Sequence, residues 1–572
     1  MKLSEYLYSE LARAGVCYAF GVPGYFVMPI WQRFTDAPRI VLSRHESGAV
    51  FMADGWSRTT RRLGVALATT GPGLTNCVTG VACAYRDSIP VLIITGQAPT
   101  KTFGRGAFLE SYILDRSVGP AELLGPITKK SIEIVELDNA RFLIDTALML
   151  AVAGRPGPVH LSIPIDLQDQ ELPQSPGAVR SHRTRALQTD STMPAVVAPM
   201  SGEDTFARAC AALSSARRPL LIAGWGTYLA DASKDLMRLA EKVGGVVVST
   251  TKALACFSGQ EPAFLGHLGP GQRPDIVEGL RGYVPDVVVV AGASLSQYYA
   301  SGIWPLLEQA FVVRIDIDAD QLGLRLVPDV ALHGDARWWL AALRSSLGGA
   351  SSRQRSGRSE LVAAFRARHD RAATLQSRQF DGKPSMAGTI ARLHDILPED
   401  CVVIPDAGNH WLDTMALYRP SRPGGLQVNC GVGPMGWAIG AAVGAAFAHH
   451  DWKTVCVTGD GSMLMHGVEL SVAAEHGLNL LAIVYNNRAH GRVRLGQRVD
   501  FDSDPLGTDI PPIDFAQWSS AMGITSFKVV DPNDFEPVVA SALKCEGTTV
   551  VEVECHPDEV PASLRNWIAD AE

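Results

Sequence analysis

Short apolar runs, each closed by glycine or a polar loop and separated by stretches of helical period, recur along most of the chain. In the first part they are Tyr18 to Phe20, Ile40 to Leu42, Gly64 to Ala68 and Val91 to Thr95. They lead into Gly21-Val22-Pro23-Gly24, Arg44-His45-Glu46, Thr69-Thr70-Gly71-Pro72-Gly73 and Gly96-Gln97. Four strands alternating with helices predict a doubly wound parallel sheet. The alternation returns over residues 205–345, at Leu220 to Ala223, Val246 to Ser249, Val287 to Val290, Val312 to Ile317 and Ala331 to Leu332. Residues 170–199 are rich in Pro, Ser and Thr, residues 347–360 in Gly, Ser and Arg; both lack periodicity and are expected to be linkers. The expected architecture is α/β, with three doubly wound domains at 1–169, 200–346 and 361–572.

The sharpest pattern lies in residues 456–494. Val455 to Val457 lead into Gly459-Asp460-Gly461-Ser462. Leu464, Val468, Leu470, Val472 and Ala473 then suggest a helix, with Gly477 placed for its C-cap. Leu480 to Tyr485 is a strand that ends on Asn486-Asn487. Strand, helix and strand of this length make a parallel crossover, so both motif ends reach the same sheet edge, where open α/β sheets bind ligands. Gly459 and Gly461 let backbone approach a phosphate, and Ser462 with the amides opening the helix can donate to it. Asp460 is a hard carboxylate ligand, Asn487 adds an amide oxygen, and a loop carbonyl at Ala489 would add a third. One carboxylate, neutral oxygens and ligand phosphates suit Mg²⁺, octahedral at roughly 2.0–2.1 Å.

Composition narrows the classes. The 572 residues suffice for about three domains. A net charge of −8 argues against a nucleic-acid partner, and no apolar run approaches a membrane span. The opening MKLSEYLYSELARAG is an amphipathic, partly acidic helix rather than a signal peptide. Ten scattered cysteines without a Cys-x-x-Cys pair suggest small core residues in a reducing, cytoplasmic compartment.

Gly-Asp-Gly followed across a strand–helix–strand unit by Asn-Asn resembles the thiamine diphosphate motif. Arg44-His45-Glu46-Ser47-Gly48-Ala49, Met52-Ala53-Asp54-Gly55 and Gly71-Pro72-Gly73-Leu74-Thr75-Asn76 resemble the pyrimidine-binding domain of the acetolactate synthase, pyruvate oxidase and benzaldehyde lyase group. Gly408-Asn409-His410 and Gly431-Val432-Gly433-Pro434-Met435-Gly436 resemble that group's diphosphate side, and residues 200–346 its central domain. The resemblance implies thiamine diphosphate and Mg²⁺, the metal being held by Asp460, Asn487 and Ala489. Glu46 would be catalytic, a partly buried carboxyl sharing a proton with the cofactor's pyrimidine ring. Met435 would wedge the cofactor into a bent form, a proximity effect. Gly433 would grip the pyrimidine edge, with Gly24, Pro72 and Asn76 lining that side and Gln97 closing the strand after it. Gly408, Asn409, His410, Gly459, Gly461, Ser462 and His490 would face the diphosphate. His490 could instead face substrate.

Three departures bear on the reaction. Acetolactate synthases have Ala-Phe-Gln-Glu where this chain has Ala107-Phe108-Leu109-Glu110, so Phe108 and Leu109 are candidate substrate residues. Beyond Asn487, Arg492 stands where the synthases place Met; it would pair with a carboxylate or phosphate, or be a solvated loop charge. Gly292-Ala293-Ser294 replaces the Gly-Ala-Arg of flavin-containing relatives, which argues against FAD. The resemblance therefore implies a carboligase that decarboxylates a 2-oxo acid and adds the product to a carbonyl acceptor, with a different substrate pair. The alternatives are a simple 2-oxo acid decarboxylase or carbon–carbon lyase, and a non-catalytic relative. The implied assembly is a homodimer or homotetramer.

Overall fold

A computed structural model describes residues 1–110, 119–173, 201–296, 300–349, 358–368 and 376–564. Most of both expected linkers lies outside the described residues. Three parallel sheets organise the chain, joined by helices on both faces. The first contains β1 (Tyr18–Gly21), β2 (Arg39–Leu42), β3 (Gly64–Ala68), β4 (Val91–Gln97), β5 (Lys130–Glu133) and β6 (Val159–Pro164), in the order β2-β1-β3-β4-β6-β5. β5 and β6 go beyond the four strands expected. His160 and Ser162 interrupt the apolar run of β6. The fold accommodates His160, fully buried, by bracketing its two ring nitrogens with the Thr95 and Ser131 hydroxyls at 2.8 and 2.7 Å.

The second sheet contains β7 (Pro219–Ala223), β8 (Val246–Thr250), β9 (Phe264–Leu268), β10 (Val287–Ala291), β11 (Phe311–Asp316) and β12 (Val330–His333), ordered β12-β11-β10-β7-β8-β9. β9 is the unforeseen edge strand, and its register slips by a bulge at Val247/Val248. A short antiparallel pair, β13 (Gln379–Phe380) with β14 (Lys383–Pro384), precedes the third sheet. That sheet contains β15 (Cys401–Pro405), β16 (Lys453–Gly459), β17 (Leu480–Asn486), β18 (Thr525–Val529) and β19 (Thr549–Glu554), ordered β15-β16-β17-β19-β18. β16 and β17 run parallel from Thr454 against Leu480 to Gly459 against Tyr485, the crossover expected of this stretch.

The crossover itself corrects the expectation of one helix. It runs as an α-helix Asp460–His466, a 3₁₀ turn Gly467–Glu469 and a second α-helix Leu470–Glu475, with Gly477 just beyond at φ 60°. The tighter turn shifts the helical phase. Leu464 and Val468 therefore point outward, 48% and 42% exposed, while Met463, Leu470 and Val472 are buried.

Two helices hold the first and third sheets together, Glu46–Thr60 and Trp437–Ala448. Their approach is backbone on backbone. A Cβ at Gly55 would lie 2.0 Å from the Ala441 carbonyl oxygen, and one at Gly444 1.9 Å from that of Met52. Beside this contact sits a buried ion cluster. Arg58 donates to Asp54, to Asp87 at 2.7 Å and to the Val428 carbonyl at 2.8 Å, with Trp437 stacked 4.8 Å from the guanidinium carbon. Lys252 reaches Asp87 at 2.8 Å from the second sheet's side. Residues that accompany all three sheets thus meet at one guanidinium. Among the described residues no helix is long and apolar enough to cross a membrane.

Candidate cofactor site

β16 ends at Gly459, and Asp460 opens the next helix, 4% exposed. Its Oδ1 accepts the Gly461 N–H at 2.8 Å and its Oδ2 the Ala489 N–H at 3.3 Å. Burial pushes this carboxyl up to about 6, against those hydrogen bonds. Asn487, just after β17, accepts the same Ala489 N–H through Oδ1 at 3.2 Å. Asp460, Asn487 and Ala489 thus converge although separated by a whole crossover. The Ala489 carbonyl accepts from the Gly491 N–H at 2.8 Å and keeps a second lone pair. One carboxylate, one amide oxygen and one carbonyl form the hard, sparse donor set that suits Mg²⁺ shared with phosphate oxygens.

Next to these donors is a polar cradle. Gly408 caps the helix Asn409–Leu417, and a Cβ on it would lie 2.5 Å from His410 Cε1; a Cβ on Gly459 would lie 2.9 Å from the same atom. Asn409 Oδ1, His410 Nε2 and Ser462 Oγ are buried and make no hydrogen bond of normal geometry. Burial holds the His410 ring down to about 4, so it is neutral near pH 7. Unpaired buried polar atoms around backbone too close for side chains are what an oxyanion-binding cradle requires.

Met435 and His490 flank this cradle. A Cβ on Gly461 would lie 2.6 Å from Met435 Cε and 3.0 Å from His490 Cε1. Met435 is half-buried and held from both sides. The Gly433 N–H donates to Asn429 Oδ1 at 3.0 Å, and the Gly436 N–H to both Asp406 oxygens at 3.0 Å. Asp406, 1% exposed just after β15, also accepts from Thr458 Oγ1 at 3.0 Å, and burial pushes it up to about 6. Sequence reasoning missed Asp406; its signal is a carboxylate placed directly after an apolar strand and before Gly408.

Glu46 is the first residue of a helix that follows β2. His45 is the N-cap, its ring accepting the Ser47 N–H at 3.2 Å. Glu46 is half-buried; Asn76 Nδ2 donates to its Oε2 at 2.9 Å, and a Cβ on Gly73 would lie 3.5 Å from its Oε1. Pro72 starts the short helix that carries Asn76 and is exposed. Gly24 packs so tightly that a Cβ would lie 2.4 Å from Thr69 Cβ. Gln97 is fully buried, its Oε1 accepting from Thr70 Oγ1 at 3.1 Å. Glu469 was also missed. Fully buried on the 3₁₀ turn, it accepts the His45 N–H at 2.9 Å and the Arg44 N–H at 3.0 Å, and burial pushes it up to about 7. It anchors the start of the Glu46 helix to the third sheet's side. An acid set between Val468 and Leu470 was the available signal.

The structure does not unite everything. Among the described residues no hydrogen bond or ion pair joins Glu46 to Asp460, Asn487 or Met435. Phe108 is 79% exposed, and Leu109, at φ 56°, lies over Gly71. Arg492 sits on a helix, Gly491–Val499, not on the loop expected; it is exposed and 3.9 Å from Asp500, the residue that caps that helix. In the second sheet's region a cavity of about 400 Å³ adjoins Gly292 to Ser294, between the ends of β7 and β10.

Three family models match the chain: the thiamine pyrophosphate enzyme N-terminal TPP binding domain over residues 1–115, the central domain over 206–343 and the C-terminal TPP binding domain over 406–553. The acetolactate synthase of Arthrospira platensis is 30% identical over 567 residues, covering 97% of this chain and 94% of that protein. The probable acetolactate synthase large subunit of Methanocaldococcus jannaschii is 27% identical, covering 98% and 93%. The solved structure of the Rhodococcus jostii RHA1 thiamine diphosphate-dependent 4-hydroxybenzoylformate decarboxylase superposes with a TM-score of 0.81 at 23% identity, covering 97% of this chain and 99% of that one. At that identity it bears on the fold alone.

Proposed function

Since the chain belongs to the thiamine pyrophosphate enzymes, in their acetolactate synthase group, we propose that it is a carboligase. It decarboxylates a 2-oxo acid and joins the remaining carbon unit to a carbonyl acceptor. The observation that carries this reading is the convergence of Asp460, Asn487 and Ala489 beside a cradle of unpartnered polar atoms. Thiamine diphosphate, held there through Mg²⁺, would supply an electron sink for the bond broken next to the donor carbonyl.

The chain's own residues would act as follows. Asp460, Asn487 and the Ala489 carbonyl hold the cation. Ser462 O–H donates to phosphate oxygens, the amides of Gly459, Gly461 and Ser462 add to it, and the His410 ring lines the same cradle. Asn409 joins them once its amide is turned over, an assignment that hydrogen-bonding decides. Glu46 holds a proton against the pyrimidine ring, and Asn76 fixes the orientation of its carboxyl. Gly433 and Asp406, through Gly436, set the backbone that presents Met435. Leu109 in place of the amide, and Arg492 in place of Met, support a substrate pair that differs from acetolactate synthase.

Self-association completes this reading. Glu46 and Asp460 have no direct link within one chain, and exposed Leu464, Met465 and Val468 lie on the crossover beside Asp460. Both features support a homodimer or homotetramer in which a second copy completes each site. Ser294 supports catalysis without flavin, and ten unpaired cysteines support a reducing, cytoplasmic setting. The test is mass spectrometry of products from a panel of 2-oxo acids with and without aldehydes. A joined product bears the reading out. An aldehyde released alone replaces it with a decarboxylase, and no turnover by cofactor-loaded protein refutes catalysis.

A further inference from the structure

The far ends of the helices Glu46–Thr60 and Trp437–Ala448 close on a cavity of about 490 Å³. At 1.5 Å per residue the first helix carries its end about 22 Å from Glu46, so this cavity is remote from the cofactor cradle. Residues accompanying all three sheets line it: Arg61 and Arg62 after the first helix, Tyr228 and Lys234 beside the second sheet, Arg422 and Trp452 beside the third.

Its charge is one-sided. Arg61, Arg62, Lys234 and Arg422 face a single lining carboxylate, Asp231, on a chain of net charge −8. Asp231 is taken by Arg61 at 2.9 Å. Arg62 and Lys234 are exposed and make no ion pair among the described residues. Arg422 is the sharpest feature. Its guanidinium carbon lies 3.4 Å from the centre of the Trp452 ring, whose opposite face is occupied by His449 at 3.6 Å. Its Nε and Nη2 are buried without a hydrogen-bond partner, and the nearest described carboxylate, Asp400, is 4.0 Å from Nε, beyond hydrogen-bonding reach. The stacking therefore fixes a planar, charged guanidinium at the cavity wall, a group suited to carboxylate or phosphate. Each helix C-terminus adds only about half a negative charge, too little to cancel the two unpaired cations, Arg62 and Lys234.

We propose that this cavity is a binding site for a small polyanion, a phosphate compound or a polycarboxylate. The stacked guanidinium of Arg422 meets the anion from the wall, and Arg62 and Lys234 meet it from the solvent side. The volume falls within the roughly 300–1,000 Å³ usual for small-molecule sites. The proposal does not rest on the reading of the cofactor site.

The test is calorimetric titration of inorganic pyrophosphate, and separately of tricarballylate, into full-length protein saturated with thiamine diphosphate and excess Mg²⁺. Saturation keeps either probe out of the cradle. Wild type is compared with the double variant Arg62→Glu/Lys234→Glu and with Arg422→Gln. One site per chain is expected for at least one probe, weakened about tenfold or more in the double variant and in Arg422→Gln. Preference for pyrophosphate marks a phosphate ligand, and preference for tricarballylate a polycarboxylate. The double variant alters only exposed side chains, so it remains decisive if Arg422→Gln folds poorly. No binding of either probe at millimolar concentration, or binding that the double variant leaves unchanged, overturns the proposal.

Discussion

Replacing Arg58 by Met tests what the buried ion cluster contributes. Arg58 and Asp54 are fully buried, and Arg58 is the only ion-pair partner of Asp54 among the described residues. Asp87 would keep Lys252 at 2.8 Å and the Cys430 N–H at 3.3 Å. The variant therefore leaves one carboxylate buried and uncompensated, which costs about 3–5 kcal/mol. The Val428 carbonyl also loses its donor, at about 1–3 kcal/mol if nothing replaces it. Burial already holds the Asp54 carboxyl above its ordinary value, even with Arg58 beside it. Without the guanidinium it rises further, so the folded variant binds a proton that the unfolded chain releases. Stability of the variant then increases as pH falls, and its deficit against wild type narrows as pH falls through the range in which Asp54 is protonated in the folded variant but not in folded wild type. Adding Asp54→Asn removes the stranded charge and should restore most of the loss. The assay is the midpoint of the earliest urea transition, at matched protein and cofactor concentration because self-association and ligands shift it. A wild-type midpoint for Arg58→Met, or a double variant no more stable than the single one, would refute the reasoning.

Asp460→Ala should abolish Mg²⁺-dependent binding of thiamine diphosphate, because the one charged donor is lost; near-native affinity by calorimetry would remove the metal assignment. Glu46→Gln should leave cofactor affinity nearly unchanged while exchange of the thiazolium proton into deuterated water, followed by NMR on acid-quenched enzyme, slows roughly 10²–10⁴-fold. Unchanged exchange would reduce Glu46 to a structural helix-start residue. Sedimentation should show an active species of twice or four times the 61.3 kDa chain; activity at the monomer mass would contradict a site shared between copies. The purified protein should be colourless and active without added flavin, and a stoichiometric flavin absorbance band would show otherwise.

The crossover at Asp460 was legible because its information is local. Gly459-Asp460-Gly461 must follow a strand, and Asn487 must end the next one, so sequence spacing fixes both ends of one sheet edge. Glu46 and Asn76 were legible as motif residues, but their hydrogen bond depends on which strand neighbours which. What escaped depends on tertiary partners. Asp406 and Glu469 act through distant partners, the Gly436 amide and Thr458 hydroxyl in one case and the Arg44 and His45 amides in the other, brought close by folding. β6 escaped because its histidine needs Thr95 and Ser131 to be tolerated inside. The apolar face of the crossover was misread because a 3₁₀ turn at Gly467 changes the phase that periodicity assumes to be constant.

The contact between the two long helices also sets a schedule for synthesis. Gly55 and Gly444 bring main chain against main chain with no side-chain layer between. The first helix therefore waits for a partner that leaves the ribosome about 390 residues later. At roughly 5–20 residues per second that delay is about 20–80 s. Through nearly all of it, the Met52 face stays bare and Arg58 lacks the Val428 carbonyl of its cluster. Closing so long a loop is slow, and a nascent chain in this state is a natural client for chaperones. The glycines that let the mature halves seat so closely make the newborn chain's first hundred residues its most vulnerable.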